Sequence, residues 1–343
     1  MGNRSVCFIL VVLFCVSQIS EGSDGDADPA YRECLDQYEQ SGCVDDHCLT
    51  KCKQSSVSST GIGDLYLKWK QTCCQSDCRR YCIQIKEAER KANGYPPIKY
   101  HGKWPFKSFF GLQEPVAAAF SAINLVIHFT SWLSFRSKSK AHYEYSTLWQ
   151  FYAFFQVNKW LWSTIMHIRE IEIIKRINFS CTNAAIGFSL TTAILRSFGV
   201  REEASKVMVF APVLAFSTTH ILFLNNYSFN YGAVLNLPCY TRQSHRFSTE
   251  WNHQVTTGMA VAELGVWGIW ACFGRHSARW KVWVFVVGSC VVMFLKSLDF
   301  PPYDGTIDGH CLALAVAAPL TWIWWSFVSD DAKLRSNSLR KKQ

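Results

Sequence analysis

The stretch "VAAAFSAINLVIHFTSWLSF", residues 116–135, runs for twenty residues without one Asp, Glu, Lys or Arg. At the α-helical rise it is as long as the hydrocarbon core of a bilayer is thick, and in lipid a helix satisfies its own backbone. Six further apolar segments of similar length follow, near 147–168, 180–200, 207–224, 254–273, 282–300 and 310–328. The pattern predicts an all-α membrane protein whose residues 116–328 form a seven-transmembrane helix bundle. Composition agrees, since 49% of the residues are hydrophobic, 18% are charged, and Phe, Trp and Tyr are frequent for a soluble chain.

Ahead of the first apolar run the chain changes character twice. Residues 1–22, "MGNRSVCFILVVLFCVSQISEG", have a short basic start, an apolar core from Val6 to Val16, and small residues at Ser20 and Gly22. This is the pattern of a secretory signal peptide, too short to span comfortably, with a signal anchor as the alternative. Residues 23–98 are polar and contain eight cysteines, Cys34, Cys43, Cys48, Cys52, Cys73, Cys74, Cys78 and Cys82. An even set after an export signal implies an oxidising compartment and a disulfide-rich lumenal domain, and its few large apolar residues could not build a core unaided. The four-residue spacings Cys48/Cys52 and Cys74/Cys78/Cys82 line sulfurs along helix faces, which predicts a stapled helical hairpin. The pairing stays open among 105 connectivities. Zinc is a poorer reading of these spacings in a lumenal setting. Residues 99–115 mix Trp104, Phe106, Phe109 and Phe110 with lysines, as expected of an interfacial collar at the headgroup level.

Basic residues set the expected orientation. The loops 136–146, 201–206 and 274–281, together with the tail from Ser329, carry thirteen Lys and Arg, whereas the opposite loops 169–179, 225–253 and 301–309 carry five. The positive-inside rule therefore puts residues 329–343 in the cytosol as a basic tail and the amino terminus in the lumen. The overall charge of +9 falls mainly on the cytosolic side and suits anionic lipid. Nothing in the pattern calls for nucleic acid or a nucleotide.

With that topology several polar residues reach one leaflet. Ser163 and His167 are four apart at the lumenal end of the second apolar segment, in "WSTIMHIRE" (162–170), and Glu170 continues their stripe. Asn178 and Ser180 open the third segment, Asp299 closes the sixth, and Asp308 and His310 open the seventh. Ionisable groups at membrane depth are costly, and they point to an interior site. Imidazoles on two helices with carboxylates nearby suit a zinc ion, and a hydroxyl beside them suits a reacting carbonyl. Blander roles compete: Ser163 bonding its own backbone carbonyl or a neighbouring helix, Asp308 capping a helix, Glu170 pairing with Lys175 or Arg169. His128 and His220 lie in apolar runs without charged partners and read as structural.

The ordered motifs "HGKWPF" (101–106), "WSTIMH" (162–167), "LDFPP" (298–302) and "DGH" (308–310) resemble the post-GPI attachment to proteins factor 3 family, over nearly the whole chain. The resemblance implies a relation to the CREST superfamily of intramembrane zinc hydrolases. It further implies removal of the unsaturated sn-2 fatty acid from GPI-anchored proteins in the Golgi, a phospholipase A2-like step. By the same resemblance Ser163 and His167 match the pair on the second helix, and His310 matches the first histidine of an HxxxH pair on the seventh.

Two positions depart from that pattern. Asn178 stands where the family has Asp, and Leu314 stands where it has the second His. Leu cannot ligate a metal, which leaves His167 and His310, and Asn cannot act as a general base. Glu170, Asp299 or Asp308 could supply a third ligand or a base. The competing expectations are a metal-dependent ester hydrolase and a pseudoenzyme that binds GPI lipid or GPI-anchored cargo without cleaving it; a seven-helix receptor or channel rests on helix number alone. Among smaller signals, Asn226-Tyr-Ser is a sequon expected to be glycosylated, and the end "LRKKQ" resembles a retrieval signal that would cycle a Golgi protein through the endoplasmic reticulum.

Overall fold

A computed structural model of the protein describes residues 24–41, 43–44, 47–48, 62–109, 111–138, 143–227, 238–274 and 276–340. The expected signal peptide (1–22) and Cys52 lie outside the described residues, as do the side chains of Cys43, Cys48, Cys73, Cys74 and Asn226. The described chain is overwhelmingly helical. Its strands are β1 (Cys43–Val44) and β2 (His47–Cys48), a two-residue antiparallel pair.

The amino-terminal unit contains α1 (Asp24–Ala27), α2 (Pro29–Ser41) and α3 (Ile62–Ala92). Helices α2 and α3 pack together and are joined by the disulfide Cys34–Cys82, across 48 residues of chain. Tyr31, Cys34, Cys82 and Tyr100 form its small buried cluster, with Cys78 and Tyr81 packed against it. A unit with so little apolar area is stabilised by restricting its unfolded chain, which is what this cross-link does.

Seven α-helices follow among the described residues: α4 (Pro115–Lys138), α5 (Ser146–Ile168), α6 (Glu172–Ser197), α7 (Glu203–Leu222), α8 (Pro238–Phe273), α9 (Arg279–Ser297) and α10 (Gly309–Arg340). Five contain stretches long and apolar enough to cross a membrane, namely Pro115–Ser137, Glu203–Asn225, Trp251–Phe273, Arg279–Ser297 and Gly309–Asn337. Helices α5 and α6 have spanning length without such an apolar stretch; α5 is rich in Trp and Tyr, and α6 turns hydrophilic side chains inward. Asn178, Asn183, Ser189, Thr191, Thr192 and Arg196 of α6 are all buried. A helix enclosed by its neighbours meets little lipid on that face, so its composition need not read as apolar.

Packing partners are α4 with α5, α5 with α6, α6 with α8, α8 with α9, α9 with α10, and α10 with α4, which closes a ring; α7 lies against α6. The large aromatic core, including Trp149, Trp267, Trp324 and Phe327, fills one end. That end also holds a buried polar clasp. Asp331 accepts hydrogen bonds from Arg196 and from Tyr143 (2.7 Å), and His276 lies 3.4 Å from it.

Two boundaries differ from the sequence expectation. Helix α6 starts at Glu172 rather than near 180, so Asn178 is two turns inside it. Helix α10 continues to Arg340 rather than stopping at 328, because Asp331 and Ala332 are buried in the clasp and its surroundings. Most of the expected tail is therefore helix.

Candidate functional site

The opposite end of the ring brings together the last turn of α5, the start of α4 and the start of α10. Helix α5 ends when Arg169 takes an extended conformation, which leaves its final carbonyls without helical partners. The segment leading into α4 supplies them. Gln113 N–H donates to the Ile168 carbonyl (3.1 Å) and Glu114 N–H to the His167 carbonyl (3.0 Å), while the Gln113 side-chain oxygen accepts from Glu170 N–H (2.5 Å). Pro115 then begins α4, at the helix position where a missing N–H costs nothing.

That clamp sets the Glu114 carboxylate 2.5 Å from His167 Nδ1, with the imidazole 2% exposed. Glu114 also meets Lys103 (3.3 Å), and Lys103 meets Glu170 (2.7 Å). Burial alone would raise the Glu114 carboxyl, but Lys103 and the His167 contact outweigh it and hold the acid well below the usual carboxylate range. Burial likewise works against the Glu170 charge and is exceeded by Lys103 and Lys175, so this acid is also lowered. The Lys103 ammonium is opposed by burial and raised on balance by the two glutamates. An ionised carboxylate only accepts, so Nδ1 donates to Glu114 and the lone pair of a neutral His167 resides on Nε2. Nε2 is buried and has no hydrogen-bond partner among the described residues.

His310 faces it, with the two ring centroids 5.3 Å apart. Asp308 caps α10 by accepting from Cys311 N–H (2.8 Å), which fixes the turn that carries His310. The residue between them must be glycine. A Cβ on Gly309 would come within 2.5 Å of the Leu295 and Leu298 carbonyls, so the α10 start rests directly on the α9 end.

Ser163 Oγ lies 3.3 Å from Ser121 Oγ of α4, one helical turn from His167 along α5. Asn178 donates to Met166 Sδ (3.2 Å), and its carbonyl oxygen is buried without a partner among the described residues. Leu314 packs in an apolar cluster with Ala117, Trp160 and Cys311, and its backbone carbonyl accepts from Asn124. Asp299 is drawn away from the imidazoles by the collar, where Lys99 and Trp104 Nε1 (2.8 Å) bind it. The histidines read as structural meet neutral groups, His128 with Trp325 and His220 with Asn252.

Sequence reasoning missed Glu114, Lys103 and Ser121. The available signal was a carboxylate abutting an apolar run, a costly placement that asks for a partner. The partner was 53 residues away, beyond the reach of any local pattern.

These elements are the parts by which the chain can be compared. The Per1-like family model matches residues 64–239 and 233–332. The chain belongs to the Per1-like family. A zebrafish (Danio rerio) relative named "GPI-specific phospholipase A2-like PGAP3" is 26% identical over 95% of each chain. The human protein of the same name is 24% identical over 94% of this chain and 93% of its own. "Post-GPI attachment to proteins factor 3" of Drosophila melanogaster is 24% identical over 96% and 95%. No solved structure matches the chain.

For this Per1-like chain a zinc ion is a matter of donor count. A catalytic zinc takes three protein ligands. His167 Nε2 and the nearby His310 offer two, Leu314 offers none, and Glu170, Asp299 and Asp308 are engaged with lysines, the collar and the helix cap. Among the described residues no group of three His, Cys, Asp or Glu is placed to hold a metal. The described donors fall one short.

Proposed function

We propose that the protein remodels GPI anchors, hydrolysing the sn-2 ester that holds the unsaturated fatty acid of a GPI-anchored protein's lipid. The reading is supported by the names of its relatives and carried by one observation: a buried imidazole whose Nδ1 is held by a carboxylate and whose Nε2 has no partner among the described residues, beside a second imidazole. It sets the protein in the Golgi membrane, cycling through the endoplasmic reticulum. The amino-terminal unit and the imidazoles face the lumen and the carboxy terminus the cytosol.

The chemistry needs one base, one acid and an oxyanion site. His167 Nε2 takes a proton from water as its oxygen attacks the ester carbonyl, while Glu114 steadies the imidazolium that forms. The hydroxyls of Ser163 and Ser121 donate to the developing oxyanion. The His167 imidazolium then returns that proton to the departing glycerol oxygen as the acyl C–O bond breaks, releasing fatty acid and lysolipid, with His310 beside it to orient the ester. Lipid esters lie just below the headgroups, the depth at which a helix end such as that of α5 meets the surface.

The test is rescue of cells that lack GPI remodelling, with anchor lipids analysed by mass spectrometry. The wild-type chain should restore saturated anchors, and His167→Ala and His310→Ala should not. Rescue by both variants at wild-type level would sink the hydrolase reading. A non-cleaving GPI binder is the second reading, favoured by the apolar packing of Leu314; it predicts that wild type fails too while anchored cargo still co-purifies.

A further inference from the structure

Lys296 is left unexplained by the hydrolytic site. It lies in the last turn of α9, the turn whose Leu295 and Leu298 carbonyls press on Gly309 next to His310. A lysine at a helix end often serves the helix dipole or reaches for surface water. The Lys296 charge acts on Lys159 of α5, His253 of α8 and His310 of α10, three different helices of the ring. No carboxylate among the described residues lies within ion-pair distance of it; the acid one turn on, Asp299, is held by Lys99 and Trp104. The side chain is exposed rather than packed.

The Lys296 ammonium thus sits on the α9 turn that touches the α10 start beside His310, without a carboxylate partner among the described residues. Uncompensated charge at membrane depth is expensive unless a ligand neutralises it. In a glycerophospholipid the phosphate hangs from the carbon adjacent to the one bearing the sn-2 ester, so an ester at His167 carries an anion to the neighbouring surface. A phosphodiester keeps its charge before and after hydrolysis, unlike the fatty-acid product, which exists only afterwards.

We infer that Lys296 is a specificity residue that binds the phosphodiester of a glycerophospholipid while the adjacent ester sits between His167 and His310. The inference rests on the proposed lipid site but is testable without turnover. Its consequence is selection for phosphate-bearing lipids and rejection of diacylglycerol of the same chains.

The experiment uses the full chain in detergent micelles and measures binding of fluorescent phosphatidylinositol and fluorescent diacylglycerol, with inositol 1-phosphate as competitor. Wild type should prefer phosphatidylinositol. Lys296→Gln should weaken that lipid by about tenfold or more, the scale of one charge-assisted contact, and leave diacylglycerol unchanged. Lys296→Arg should bind as wild type, which also shows that the position tolerates substitution. Equal phosphatidylinositol binding by Lys296→Gln overturns the inference, as does a parallel loss of diacylglycerol binding. Inositol 1-phosphate that binds alone as tightly as the lipid would make a soluble phosphate the ligand and overturn it too. Lys296-dependent lipid binding without fatty-acid release would overturn the esterase reading and leave this one standing.

Discussion

Replacing Glu114 by Gln isolates the proposed base from everything else at the site. The Glu114–His167 contact is 2.5 Å long, with the imidazole 2% and the carboxylate side chain 12% exposed, so water cannot substitute for it freely. A hydrogen bond to a charged partner contributes about 1.5–3 kcal/mol. At about 1.4 kcal/mol per tenfold in rate, its loss from the transition state lowers kcat by roughly 10- to 100-fold. KM should barely move, because Glu114 touches the base and not the lipid. The fold should persist, since the backbone bonds from Gln113 and Glu114 to the α5 carbonyls remain and Lys103 keeps Glu170 at 2.7 Å. The assay is fatty-acid release from a GPI-anchored reporter in proteoliposomes across substrate concentrations, with a thermal melt in parallel. Glu114→Gln and His167→Ala combined should be no slower than His167→Ala alone, because the two act as a unit. An unchanged kcat in a well-folded Glu114→Gln protein would refute the reasoning.

Other outcomes follow from separate features. Asp331→Asn leaves Arg196 buried without its counter-charge and should destabilise the bundle by about 3–5 kcal/mol, read as a lowered melting midpoint, with His276 and Tyr143 also losing their partner. Leu314→His together with Asn178→Asp should raise the zinc content of purified protein toward one per chain, measured by elemental analysis; a wild type that already carries one zinc would contradict the donor count. For pH the sign follows from depressed acids: Glu114 and Glu170 contribute stability that is present above their unfolded values and lost only as pH falls through their lowered folded values. Hydrogen-exchange protection of residues 99–114 should therefore be unchanged between pH 7.5 and 5.5, about the range above unfolded carboxylates. Loss of protection within that window would contradict the Lys103–Glu114–Glu170 arrangement.

The apolar runs made five membrane-length helices legible because lipid imposes a composition on any helix that faces it. Helix α6 was harder, since its first two turns, "EIIKRINF" (172–179), are charged and amphipathic and look like a loop. The extension of α10 was hidden for the same reason: "SDDAKLRSNSLR" (329–340) reads as a polar tail until Asp331 is seen buried against Arg196. Ser163, His167 and His310 could be singled out from helix spacing and motif order. Glu114 and Lys103 could not, because the collar's aromatic and basic residues have a sufficient local explanation at the headgroup level. Their pairing with the helix ends is a product of tertiary folding alone.

The clamp between residues 113–114 and the end of α5 also decides how far the protein can be trimmed. A chain begun at Pro115 would retain all seven helices of the ring and its neighbour, yet lack Lys103, Gln113 and Glu114, the residues that tether the last turn of α5. Its imidazole would swing on an unbuttressed helix terminus. The smallest self-sufficient unit therefore reaches back past Tyr100, into the segment that the Cys34–Cys82 bridge anchors through their common cluster.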